Sequence, residues 1–509
     1  MAPSPLCWFT RPTAGPEPVT INRRPTKGTA KRPTQGSADA PPHDRRAAGS
    51  TKGTAKRPTQ GSPDAPPHDR RAAGSLTALL AAHAISQTGN VVTAFAIPFY
   101  VLGLGGTGVE VGVAAFFATA PIVIGGALGG VVVDRVGHRR AAIVADLVSG
   151  LAVLTIPVLA LTVGLPFWAL LLLVFAAGLL DTPGQTARRI MLPDLTARAG
   201  VRLEQSVGLL DGSERFAKLI GASVAGLLVA LVGPIAALFV NAATFAVSAL
   251  LTWGFVAAVP AASAASAASA APEASEASAA SAASAATLLD RSDAPRTSYW
   301  ADLAEGFRFV VRDPLMRLIV ALVLVTNLLD AARGSTLMPL YANDRLGGAA
   351  ALGLLVAVMG GCALAGNIAF GFVAHRVPRR VTFAVCFALA GGPSSAAFAL
   401  GAPLPVLVVT TALAGLAAGA INPILGTVEL ERVPEHMRGR VFGLINAGAW
   451  AGVPFGALLG GIAADTIGLA LAFGIVAVVY ALVTLSPLAG GSWRLMERQQ
   501  PDDMPVEAR

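Results

Sequence analysis

The apolar residues of this chain do not alternate with polar ones at the period of a strand or of a surface helix. They come in long runs of about 20 to 27 residues divided by short polar loops, and a helix of that length crosses a hydrocarbon core about 30 Å thick. Twelve such runs predict twelve membrane helices, near 76–102, 109–133, 141–162, 166–187, 207–231, 234–257, 314–341, 350–374, 381–400, 404–428, 441–464 and 468–488. The expected fold class is therefore an all-α membrane protein. The runs fall into two sets of six, because the sequence repeats without gaps at an offset of 241 residues. Pro98 and Tyr100 return as Pro339 and Tyr341, Gly125 and Gly130 as Gly366 and Gly371, Arg135 and Arg139 as Arg376 and Arg380, and Pro193 as Pro434.

The pattern divides the chain into six parts. Residues 1–75 are a polar tail containing a 25-residue tandem duplication (26–50 and 51–75), too poor in apolar residues to fold on a core. Residues 76–257 form the first six-helix half and 258–298 an Ala/Ser-rich linker. The stretch 299–313 is an amphipathic helix, with Tyr299, Trp300, Leu303, Phe307, Val310 and Val311 on the face opposite Asp302, Glu305, Arg308 and Arg312. Residues 314–489 form the second half and 490–509 a polar tail. Arg70-Arg71 ahead of an apolar run resembles a twin-arginine signal, but the run continues to Leu104, too far for a signal segment.

Composition agrees with burial in lipid, at 54% hydrophobic and 13% charged residues and a mean hydropathy of +0.63. The net charge of +8 lies in the tail, where 13 Lys and Arg stand against 5 Asp and Glu; residues 76–509 balance 25 of each. These basic residues are not interleaved with aromatics, so nucleic acid is not an expected partner, and membrane lipids are. Arginine also sets the expected orientation. Loops after the even-numbered spans contain Arg135, Arg139, Arg140, Arg188, Arg189, Arg376, Arg379 and Arg380 among others, whereas the opposite loops contain Arg345 alone. By the positive-inside rule both termini are expected in the cytoplasm of a multi-pass protein of the cell membrane. Cys7, Cys362 and Cys386 form neither a disulfide framework nor a metal-ligand spacing, and no metal or cofactor is expected. Walker, HExxH and GxSxG motifs are missing from the sequence, which speaks against direct use of ATP and against an enzyme.

Ionisable groups inside the spans are the candidate chemistry, since a charge at the bilayer centre costs roughly 2.5 to 3.5 kcal/mol. Asp330 and Arg333, three residues apart on the seventh span, can pair on one helix face. His83, Ser86, Gln87 and Asn90 make a polar stripe on the first span, expected to line a cavity opposite the seventh. Asp146 and Asp181 lie nearer the arginine-rich ends of the third and fourth spans, within reach of Arg139 or Arg188. Gly448, Gly452, Gly456 and Gly460 recur every four residues on the eleventh span, and Gly125, Gly126, Gly129 and Gly130 form two GxxxG pairs on the second. Such faces permit close helix approach.

The segment GVVVDRVGHRR (130–140) resembles the signature loop of the major facilitator superfamily, and GFVAHRVPRR (371–380) is similar to its second copy. RRIMLPDL (188–195), DLAEGFRFVVRDPLMR (302–317), LMPLYANDRLG (337–347) and ELERVPEHMRGRVFGL (429–444) resemble the branch of macrolide, other drug and siderophore exporters. The likeness spans about residues 76–488. It implies two parallel six-helix repeats and a monomeric secondary transporter that exports small amphipathic molecules by alternating access, with protons as the coupling ion. It further implies that Gly130, Asp134, Arg135, Gly137, Arg139 and Arg140 latch the two halves in one state. The glycine faces, Gly125 and Gly129 with Gly448, Gly452, Gly456 and Gly460, would pack the second and eleventh spans across the interface between halves. The GPxxGG pattern frequent in the superfamily's drug antiporters is absent, since Gly221–Gly226 lacks the proline; the coupling ion stays open on that count. Siderophore or lysophospholipid carriage on the same fold, and a membrane scaffold or sensor, are the alternative functions.

Overall fold

A computed structural model describes residues 70–256, 299–434 and 437–497, and they are almost entirely helical. The twelve membrane helices are α1 (Arg70–Gly103), α2 (Gly108–Val136), α3 (His138–Thr162), α4 (Phe167–Ala199), α5 (203–232), α6 (234–255), α7 (Pro314–Arg345), α8 (Ala349–Val373), α9 (Arg379–Ala399), α10 (Leu404–Arg432), α11 (438–467) and α12 (Leu469–Leu485). Between α6 and α7 runs the amphipathic helix Tyr299–Arg312, with Val310 buried and Phe307 and Val311 exposed.

Local chemistry explains the breaks. Residues 203–255 would make one helix of about 80 Å, far more than a bilayer needs. Gly233 ends the first leg with φ 85° and ψ 165°, a conformation that disfavours any side chain, and Pro234 starts the second. Gly137 makes a comparable break between α2 and α3 at φ 88°. Thr107 and Glu110 form a capping box at the start of α2, and Asp313 caps α7 by accepting from the N–H groups of Leu315 and Met316, both at 2.9 Å, with Pro314 in the first helical position.

The first helix starts six residues before the expected position. The reason is packing: Ala72 and Ser75 are buried, and the Ser75 hydroxyl donates to the Phe255 carbonyl at 2.7 Å, tying α1 to the end of α6. The expected polar tail from 490 also begins inside the fold. In the 3-10 turn Gly491–Met496, Trp493 and Met496 are buried, the indole lies 6.4 Å from the Phe383 ring, and Glu497 pairs with Arg380 at 2.9 Å. The tandem-repeat tail up to residue 69, the whole Ala/Ser-rich linker 258–298 and residues 498–509 lie outside the described residues.

Each half buries its small and aromatic residues between helices and presents Leu, Val, Ile and Trp outward, as at Leu161, Trp168, Leu250, Trp253, Leu471 and Leu482. This is the inverse of a soluble fold and suits lipid as solvent. The halves meet through α2 against α11 and α5 against α8. Both contacts are glycine-mediated near the arginine-poor ends: a Cβ at Gly461 would sit 2.2 Å from the Gly108 carbonyl, and one at Gly226 would sit 2.7 Å from the Gly353 Cα.

That geometry corrects the expected role of the glycine stripe. Gly448, Gly452, Gly456 and Gly460 face α7 of their own half; a Cβ at Gly456 would lie 2.0 Å from the Leu328 carbonyl, and one at Gly460 would lie 2.9 Å from that of Ala332. Gly125 abuts Thr182 of α4, again within one half, and the surroundings of Gly129 and Gly130 lie outside the described residues. Spacing marks a face that admits close approach but does not name the helix that fills it. The contact between halves uses the adjacent edge of α11, Ala457 and Gly461, against Gly108 and Gly112.

Candidate functional site

Among the described residues, polar side chains gather inside both halves of the helix bundle. In the first half the stripe on α1 turns toward α4. Asn90 donates to Asp181 at 2.8 Å and to Gln87 at 3.2 Å, and Gln185 donates to the same Asp181 oxygen at 2.7 Å. Asp181 is 5% exposed, and its other oxygen has no hydrogen-bond partner among the described residues. Asp181 thus pairs with amides, not with the arginines expected from the sequence. His83 and Ser86 are fully enclosed one to two turns away, and both His83 ring nitrogens lack a hydrogen-bond partner among the described residues. Through Asn90 the stripe meets α4 of its own half, a partner that the sequence reading did not name.

Beside this seam lies a buried ionic triad. Arg188 donates to one oxygen of Asp146 and, at 3.1 Å, to the Ser248 hydroxyl, which in turn donates to the other Asp146 oxygen at 2.7 Å. Arg188 and Asp146 are both inaccessible to solvent. The expected pairing of Asp146 with Arg188 holds, and it joins α3, α4 and α6 inside the half. Both carboxylate oxygens are satisfied, whereas Nε and Nη1 of the buried Arg188 have no hydrogen-bond partner among the described residues, so the pair ties three helices together while compensating the guanidinium only in part.

The cluster in the second half is built differently. Arg333 Nη2 donates to Asp330 at 3.1 Å and Nη1 donates to the Ser394 hydroxyl of α9 at 2.7 Å; the Tyr480 hydroxyl of α12 reaches the second Asp330 oxygen at a long 3.4 Å. The arginine side chain is 6% exposed and the aspartate 40%. The guanidinium is fixed, and the carboxylate is loosely held on an open side. Arg333 also sits in a π-helical turn, Ala332–Leu337, which interrupts α7. Such turns insert an extra residue and recur at functional sites. Nothing in the apolar pattern of the span announced it, although Gly334 inside a helix was a weak sign.

In the signature loop, Arg139 donates to the Thr252 and Trp253 carbonyls at the end of α6, a C-terminal cap within the half. The side chains of Asp134 and Arg135 lie outside the described residues, and Arg140 is exposed. At the second copy, Arg379 holds Glu431 through two bonds of 2.6 and 2.8 Å, and Arg432 holds Asp313 at 2.6 Å.

Twelve apolar helices in two linked halves, glycine-paired at the seam and polar at the heart of each, define a multi-pass helical membrane protein. The chain belongs to the major facilitator superfamily, whose profile matches residues 79–351 and 321–504. It is 30% identical over 406 residues to the multidrug efflux pump Tap of Mycolicibacterium fortuitum, covering 78% of this chain and 91% of that protein. With the protein of the same name from Mycobacterium tuberculosis it shares 31% over 398 residues, covering 78% and 88%. Among solved structures, the nucleoside transporter NupG superposes with a TM-score of 0.57 at 12% identity, over 85% of this chain and 100% of that one. A D-xylose–proton symporter gives 0.55 at 14% identity, over 82% and 95%. The protein is accordingly a multi-pass transporter of the cell membrane and not an enzyme.

Proposed function

We propose that this transporter is a multidrug exporter that moves small amphipathic compounds out of the cell by alternating access, in exchange for protons. The arginine-rich end of the bundle is cytoplasmic, and so are both termini. The relatives named multidrug efflux pump, matched over about nine-tenths of their length, support the cargo class.

The observation that carries the coupling is the asymmetry of the pair on α7. Arg333 is buried and anchored by Ser394, whereas Asp330 is 40% open and held by longer contacts. A carboxylate in that position can exchange its arginine for a proton without uprooting the arginine, and the π-turn beneath it lets the helix adjust. The Asn90, Gln87 and Asp181 seam supplies amide donors and a carboxylate to polar or cationic parts of cargo. Siderophore or lysophospholipid carriage has no comparable support.

The test is drug accumulation in a deletion strain carrying wild type, Asp330→Asn or an empty vector, across dyes and antibiotics of different charge. Export requires lower accumulation with wild type than with vector, reversed by a protonophore. Equal accumulation in all three strains, with the proteins present in the membrane, rejects the proposal.

A further inference from the structure

The start of α2 is completed by a residue from the other half. Thr107 caps the N–H of Glu110 at 3.2 Å, and Val111 bonds to the Thr107 carbonyl. The first two amides of the helix point elsewhere: Gly108 N–H donates to one oxygen of Asp465 at 2.9 Å and Val109 N–H to the other at 2.8 Å. Asp465 belongs to α11, in the last turn of that helix. A carboxylate at a helix C-terminus faces the negative end of its own dipole, which is the unfavourable location; here it meets the positive end of a helix from the opposite half.

The sequence carries the same device twice. α2 ends in Asp134-Arg135-Val136-Gly137 and α11 ends in Asp465-Thr466-Ile467-Gly468. In each, Asp is third from the helix end and the glycine after it turns the chain at positive φ, 88° at Gly137 and 85° at Gly468. The 241-residue repeat does not produce this match, because it maps Asp134 onto His375 and Asp465 onto Val224. The match is between two helices that run antiparallel against each other across the seam, and Asp465 reaches the N-terminus of the other helix.

We infer that Asp465 is the latch of the arginine-poor end: it holds the halves together there through the α2 amides, and its release accompanies opening of that end. The inference rests on alternating access and not on the identity of cargo or ion. Opening trades two charge-assisted bonds for water, so Asp465 biases the equilibrium between states and leaves the fold of either half alone. Asp134 stands at the corresponding position for the opposite end.

The experiment measures the separation of the halves in the full chain, with Cys7, Cys362 and Cys386 replaced. Spin labels at Val163 and Leu400 sit 80% and 86% exposed in loops at the arginine-poor end of opposite halves. In nanodiscs, Asp465→Asn should raise the ratio of long to short distances about tenfold over wild type. Glu110→Gln, which weakens the cap inside one half, should leave it unchanged. An unaltered distribution in well-inserted Asp465→Asn overturns the latch, and so does an equal shift in Glu110→Gln. If Asp465→Asn does not accumulate, Asp465→Glu retains the charge but not the two-pronged fit and should give a smaller shift in the same direction; no shift there also overturns it. Cargo export can fail for other reasons without touching this result.

Discussion

Arg188→Met separates a structural ion pair from a working one. In the native protein Asp146 has two partners, the guanidinium and Ser248, and neither it nor Arg188 touches solvent. Removing the arginine leaves a carboxylate enclosed by α3, α4 and α6 with one neutral donor. Stranding a buried charge in this way costs about 3 to 5 kcal/mol, at least about a hundredfold in the folding equilibrium. The double variant Asp146→Leu, Arg188→Met removes both charges and replaces them with apolar groups, which is about neutral when packing is kept. The single variant should therefore lose most of its membrane-inserted abundance and melt well below wild type by fluorescence-detected size exclusion. The double variant should recover abundance, melting and a substantial part of drug export. Wild-type stability in Arg188→Met would refute the energetic argument. Recovered stability without any export in the double variant would show that the triad takes part in transport and is not merely scaffold.

The pair on α7 should behave in the opposite way. Asp330→Asn keeps shape and hydrogen bonding, so it should be inserted at near wild-type levels, exchange cargo downhill and fail to concentrate it; protonophore-sensitive uphill transport in this variant would move the coupling site elsewhere, with Asp181 the next carboxylate to replace. Asp134→Asn should lower flux per inserted molecule at least severalfold with little change in abundance, because a latch biases states and not folding; equal flux would reduce the signature loop to a topology signal. For orientation, a cysteine at Asn343 should react with an impermeant reagent in intact cells and one at His138 only after permeabilisation, with the reverse pattern overturning the arginine argument.

Much of the fold was legible because a bilayer imposes length and continuity on helices: the twelve runs, the Gly233-Pro234 break and the pairing of Asp330 with Arg333 all follow from apolar length, turn chemistry and helical spacing. Partner choice was not legible in the same way. The glycine stripe on α11 faces α7 and not α2, and the stripe on α1 meets Asp181 on α4, because periodicity fixes a face and leaves its neighbour undetermined. The π-turn after Asp330 escaped for a different reason, since one inserted residue alters helix phase without altering composition. Asp465 falls one residue past the eleventh run and drew no reading, because its contact with the α2 amides depends on tertiary packing over more than 350 positions of sequence.

The central claim, proton-driven export of drugs, is tested most directly in proteoliposomes of the purified protein loaded with a fluorescent cationic dye gradient of zero and an imposed proton gradient. The account predicts net dye movement against its own concentration gradient, in the direction opposite to proton flow, collapsing on addition of protonophore and absent in Asp330→Asn. Dye that moves only downhill in the wild-type protein, at a rate unaffected by the proton gradient, would contradict it.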